Sequence, residues 1–173
     1  FLCAFTADHG MNDKARADGS PEVRFLSDLL EAEGLASARV ILPITDPYVD
    51  HHGALGSYAT VYLDGAEIER ARACLARVPG IEAVLGRDEA AARFELPAES
   101  LGDLVVLGDR RTVLGKRLAE HDLSAVMHGL RSHGGLHEQE VPIVVCHPLR
   151  GGAVRPGILR NRDLFDLALN EIA

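Results

Sequence analysis

Asp8 and His9 stand side by side where an apolar run, Phe1 to Phe5, gives way to polar residues, and Gly10 follows them. A carboxylate supplies a hard oxygen donor and a neutral imidazole a nitrogen donor, a mixture that suits zinc at about 2.0–2.2 Å. Gly10 lets the backbone bend directly beyond the pair. A second source of donors is the late run Met127-His128-Gly129-Leu130-Arg131-Ser132-His133-Gly134-Gly135-Leu136-His137. His133 is the candidate here, because its glycine neighbours leave room for the ring to enter a shared cavity and for backbone to approach a ligand. Both motifs also have plainer readings. Asp8-His9 fits a solvated loop at a strand end, and His133 fits a turn residue bonded to a carbonyl. The pair His51-His52, next to Asp50, invites a metal role too, but adjacent side chains diverge, so at most one faces a pocket. A direct metal role for that pair is disfavoured, and support of a ligand or shaping of the substrate is left open. His121, His128, His137 and His147 read as surface or loop residues, and Arg110, Arg111, Lys116, Arg117 and Arg150 as solvated basic positions.

Placing these groups requires a sheet. Phe1 to Phe5 reads as a buried strand whose carboxyl end delivers Asp8 and His9, the edge at which open α/β sheets bind ligands. Val141 to Cys146 reads as another buried strand after the histidine-rich run. A packing helix is predicted from Ser20 as cap and Pro21 at the first helical position to a stop at Gly34, burying Val23, Leu26, Leu29 and Leu30. Arg39 to Leu42 is a predicted strand, left through the stiff loop Pro43-Ile44-Thr45-Asp46-Pro47.

The middle of the chain changes rhythm. Strand Tyr58 to Leu63, helix Glu67 to Arg77, strand Ile81 to Leu85, a short helix Asp88 to Phe94 and strand Asp103 to Leu107 follow one another. They predict a small α+β subdomain over roughly residues 55 to 110, in which Val105 and Val106 make a strand apolar on both faces. The last helix is predicted from Arg162 to about Ile172, capped by Asn161, with Leu164, Phe165, Ala168, Leu169 and Ile172 turned to the sheet.

A hydrophobic fraction of 47% with 25% charged residues in 173 positions is that of a soluble globular protein with a sizeable core. A net charge of -8 argues against general binding to nucleic acid or anionic membranes. No run approaches the roughly 20 apolar residues of a bilayer span, and the N-terminus lacks signal-peptide features. Phe1 to Phe5 is therefore read as a strand cut by a segment boundary. Cys3, Cys74 and Cys146, without close spacing, are expected to be reduced core residues of a cytoplasmic protein.

Four segments in order carry a family resemblance: Thr6-Ala7-Asp8-His9-Gly10-Met11, Pro43-Ile44-Thr45-Asp46-Pro47-Tyr48-Val49, His51-His52-Gly53-Ala54-Leu55-Gly56 and Arg131-Ser132-His133-Gly134-Gly135. Together they resemble phosphonoacetate hydrolase, of the alkaline phosphatase superfamily, near its nucleotide pyrophosphatase and phosphodiesterase branch. The His-His-Gly-Ala-Leu-Gly segment narrows the likeness to that family. It covers essentially the whole chain but only the C-terminal part of a complete member. The resemblance implies an α/β, alkaline-phosphatase-like sandwich with a mixed central sheet flanked by helices. Residues 1–54 and 111–173 would form parts of the catalytic core, and 55–110 a cap-like α+β subdomain.

It also implies two zinc ions per complete protomer, with Asp8 and His9 matching ligands of one and His133 matching the late ligand of the other. The threonine nucleophile, the remaining ligands and the lysines that grip the substrate carboxylate would precede Phe1. The implied reaction is hydrolysis of the carbon–phosphorus bond of phosphonoacetate to acetate and phosphate through a phosphoryl-threonine. Two alternatives stand beside it: a related phosphodiesterase or nucleotide pyrophosphatase with the same ligands, and a non-catalytic binding domain descended from a hydrolase. The expected partner is a small-molecule phosphonate or phosphate ester, not nucleic acid or membrane, and homodimerisation is left open.

Overall fold

The computed structural model describes residues 1–43, 54–127, 129–151 and 159–173. Along them run β1 (Ala4–Thr6), β2 (Asn12–Asp13), β3 (Val23–Phe25), α1 (Leu26–Ala32), β4 (Arg39–Ile41), β5 (Tyr58–Tyr62), α2 (Ile68–Leu75) and β6 (Ile81–Gly86). Then come α3 (Arg87–Phe94), β7 (Leu104–Gly108), β8 (Val113–Gly115), β9 (Arg131–Ser132), β10 (Ile143–Val145) and α4 (Asp163–Asn170). They divide into a larger unit, Met11–His137, and a smaller one, Phe1–Gly10 with Glu138–Ala173.

The larger unit is organised by an antiparallel sheet in the order β4-β5-β7-β6. Its centre is β7, where every residue is buried. Alternation explains how: Leu104 and Val106 join Leu26, Leu30, Ala71 and Leu75 in one cluster, whereas Val105 and Leu107 join Ala90 and Leu101 in another. Helices α1 and α2 thus serve one face and α3 the other, as the doubly apolar strand required. Fully burying each such side chain contributes about 1.5–3 kcal/mol. The elements expected between residues 55 and 110 are all present, with ends shifted by a residue or two, and β4 extends the sheet from outside that span.

Helix α1 starts later than expected. Ser20 caps nothing; its backbone N–H and its hydroxyl both donate to the Asp18 carboxylate, at 2.9 and 2.6 Å, and Gly19 turns at φ +85°. Pro21 then bridges to Ala15, and Val23 to Phe25 runs as a strand parallel to β8. A serine that satisfies itself in an aspartate turn looks in sequence like a serine that caps a helix. The stop at Gly34 is as expected: at φ +76° its N–H reaches Glu31 O at 2.9 Å, while the Leu35 N–H reaches Leu30 O at 2.9 Å.

In the smaller unit β1 pairs antiparallel with β10, Ala4 opposite Val145 and Thr6 opposite Ile143, and α4 packs on both. The strands exist, but they are not the buried strands expected. Phe5 is 53% exposed and all three residues of β10 are half-buried, because within this unit the pair is a two-stranded ladder.

The inward residue of α4 is Leu167, whereas Phe165 and Leu169, expected to face the sheet, are 72% and 75% exposed. With Leu167 inward, positions two residues to either side point away at helical spacing. Asn161 does not cap this helix; its side-chain N–H donates to Ala7 O at 3.4 Å, and the Asp163 carboxylate accepts the Arg160 N–H instead. Of the cysteines only Cys74 is in a core; Cys3 and Cys146 are exposed. No helix among the described residues is long and apolar enough to cross a membrane.

Candidate functional site

From the end of β1 onward two side-chain hydrogen bonds and one backbone bond, Gly10 N–H to Glu138 O, hold the chain. The Thr6 hydroxyl donates to Pro142 O at 2.7 Å, and the Asn161 amide reaches Ala7 O. Asp8 and His9 follow. One Asp8 oxygen, Oδ1, accepts the backbone N–H of His9 at 3.0 Å, and the other, Oδ2, lies 3.6 Å from His9 Nε2. His9 Nδ1 lies 2.9 Å from Gly10 O. A carbonyl only accepts, so Nδ1 carries the proton there and the neutral ring presents its lone pair at Nε2.

This arrangement fits part of a zinc site. Two donors on a tetrahedral ion at about 2.0–2.1 Å are roughly 3.3 Å apart, so the Oδ2–Nε2 spacing needs only a small adjustment. Fixing one ring nitrogen on a carbonyl is also how ligating histidines are ordinarily oriented. Among the described residues, however, no group of three or more His, Cys, Asp or Glu side chains forms a metal cage.

Gly10 serves this loop for a reason other than a bend. Its N–H donates to Glu138 O at 2.7 Å, and a Cβ on it would stand 3.3 Å from Glu140 O and 3.4 Å from Glu138 O. A Cβ at position 10 would be a tight fit, relieved if the 138–140 segment gave way by a few tenths of an ångström.

His133, in the larger unit, follows β9, whose Ser132 lies opposite Asn12 of β2. Its seat is set on several sides. Leu130 is buried in the cluster of Val23, Leu55 and Val113, and the Ser132 hydroxyl donates to Leu55 O. The His133 carbonyl accepts the Ser57 N–H at 2.8 Å, and Gly134 turns at φ +96° with Ser57 and Tyr58 beside it. The glycine there supplies a backbone angle that other residues adopt only with strain. His133 as a residue is half-buried. Asp8 and His9 belong to the smaller unit and His133 to the larger.

The remaining histidines take structural parts, as expected where they are described. His137 Nε2 is 2.8 Å from Glu82 Oε2, His121 Nε2 accepts the Lys116 N–H at 3.0 Å, and His147 Nε2 is 2.8 Å from Phe1 O. His51, His52 and His128 lie outside the described residues. The basic positions are engaged too: Arg117 pairs with Asp28 and Glu31, Lys116 with Glu120 at 3.0 Å, and Arg150 donates to Ile172 O at 3.0 Å.

Two ionisable residues carried no signal in the sequence reading, Lys14 and Glu138, which are 0% and 2% exposed. Burial of a charge demands partners, and both have polar interactions. Lys14 stands just after the Asp8-His9-Gly10 loop and Glu138 just after the His133 run, and that placement is the only trace sequence offered.

The sequence matches no family model. Two solved structures of phosphonoacetate hydrolase from Sinorhizobium meliloti 1021, one in complex with phosphonoacetate and one with phosphonoformate, are 50% identical with a TM-score of 0.87. Each covers 99% of this chain, which spans only 42% of that protein. Murine ectonucleotide pyrophosphatase/phosphodiesterase 5 aligns over 96% of this chain and 39% of its own, at 16% identity and a TM-score of 0.59, a likeness of fold alone. The resemblance expected from the four motifs is thus present over the whole chain, and the mixed α/β build agrees with these neighbours.

Proposed function

We propose, with the 50% likeness to phosphonoacetate hydrolase over 99% of the chain as premise, that this chain is the C-terminal part of a zinc-dependent hydrolase that cleaves phosphonoacetate to acetate and phosphate. That likeness is the observation that carries the proposal. On this reading residues 1–54 and 111–173 belong to a sandwich core with a mixed central sheet, and 55–110 to a subdomain beside it. Asp8 and His9 would hold one ion and His133 another.

Bound zinc lowers the pKa of a hydroxyl and neutralises charge on phosphoryl oxygens. The chain's own contribution is orientation. The Gly10 carbonyl keeps the His9 proton on Nδ1, so that Nε2 beside Asp8 Oδ2 is the donor. The Thr6–Pro142 and Asn161–Ala7 bonds hold the backbone on which both donors ride. At the other candidate ligand, the Ser57 bond and the Gly134 turn decide where the His133 ring leaves the main chain. Each of the three is a ligand, not an acid or base. The threonine nucleophile and the other ligands would come from upstream of Phe1.

Phosphate release from phosphonoacetate tests the proposal. The complete protein should turn over phosphonoacetate in preference to a nucleotide ester, and the 173-residue chain alone should release none. Preference for the nucleotide ester would move the assignment to a phosphodiesterase or pyrophosphatase. A complete protein without zinc or turnover would leave the binding-domain reading.

A further inference from the structure

Cys3 and Cys146 flank β1 and β10, and the register that sets Ala4 opposite Val145 sets these two cysteines opposite each other. The Cys146 N–H donates to Cys3 O at 2.9 Å. Directly opposed residues joined in this way have Cα atoms about 5.5 Å apart and side chains on one face. That spacing falls at the commonest value for disulfides, whose range is about 4.4–6.8 Å. In keeping with two side chains on one face, a hydrogen bond in which the Cys146 thiol donates to the Cys3 sulfur, with burial second, holds the Cys146 thiol above its ordinary value. Both residues are exposed in this chain. Cys74, buried in α2, is an internal control.

We propose that Cys3 and Cys146 form a dithiol that hydrogen peroxide oxidises to an intramolecular disulfide, stapling β1 to β10. One sulfur attacks a peroxide oxygen and the O–O bond breaks, leaving a sulfenic acid and one water. The second sulfur attacks the sulfenic sulfur, the S–S bond forms and a second water leaves with the remaining proton. Each sulfur loses one electron and the peroxide gains two. The staple would fix the strand that runs into Asp8 and His9, which the ladder with β10 and the packing of α4 otherwise hold. Neither step needs zinc, so this proposal and the hydrolase proposal stand or fall separately.

The complete protein is treated with hydrogen peroxide under native conditions, and Cys3, Cys74 and Cys146 are read by maleimide labelling in denaturant and peptide mapping. Cys3 and Cys146 should lose their thiols while Cys74 keeps its own, with a peptide linking Cys3 to Cys146 and reversal by dithiothreitol. Cys74→Ser should leave the link intact, and Cys146→Ser should abolish it. Sulfinic acid on separate cysteines, links only between chains, or a link that includes Cys74 would overturn the proposal.

Discussion

The sheet around β7 and the ladder of β1 with β10 are written in the same kind of residue, yet they are enclosed to different degrees. Val105 and Val106 are fully buried between helices on both faces, whereas Phe5 is half in solvent and Val144 and Val145 are half-buried. A strand's apolar character states that it tolerates burial; its neighbours decide whether it is buried. Rigidity in the larger unit comes from packing. In the smaller unit the candidate ligands Asp8 and His9 are placed by single hydrogen bonds: those donated by the Thr6 and Asn161 side chains, and the one the Gly10 carbonyl accepts from His9 Nδ1.

If that contrast is right, Leu104→Ala should cost about 2–5 kcal/mol in chemical denaturation, since the site is closed on all sides. A loss under 1 kcal/mol would show that β7 is not the anchor. Gly134→Ala should cost about 1–2 kcal/mol from its positive φ, read in the same experiment, with little clash because the nearest atom is 3.5 Å away.

Acid should weaken the larger unit through Glu22. Burial alone would raise its pKa, but hydrogen bonds from Arg16 and Arg24 outweigh this and hold it below its ordinary 4.5. Its contribution is therefore complete above about pH 4.5 and lost as pH falls further, and Glu22→Gln should flatten that limb of a stability–pH curve. Smallest of all, Leu169→Ser on the outer face of α4 should change stability by less than about 0.5 kcal/mol. A large loss there would mean that the exposed stripe of the smaller unit is covered in solution.

The central sheet was legible in sequence because its two signals agreed: short, continuously apolar runs buried nearly throughout in β5 and β7, and a helical stripe of Ile68, Ala71 and Leu75 in α2. Where a residue had two uses, the sequence reading chose wrongly. Ser20 resembled a cap but closes a turn with Asp18, and Asn161 resembled a cap but reaches Ala7. The inward face of α4 is hard to read because its apolar arc is wide, running from Leu167 round to Phe165 and Leu169 and broken by Asp166, Asn170 and Glu171, so periodicity does not choose which edge of the arc is buried.

At the candidate site the donor types of Asp8 and His9 are plain in the sequence, while the proton position on His9 and the close approach of backbone to Gly10 are not. These depend on the Gly10 carbonyl and on Glu138 and Glu140, far away in sequence. The apolar surroundings and wide spacing of Cys3 and Cys146 predict core residues, whereas strand register and exposure make them an exposed pair.

Zinc content per protomer, measured on the complete protein beside phosphate release from phosphonoacetate, tests the central claim most directly. The account predicts two ions and turnover in the parent, and for His9→Ala and His133→Ala a loss of bound zinc with activity reduced by about 100-fold or more. Unchanged zinc and unchanged turnover in both variants would contradict it.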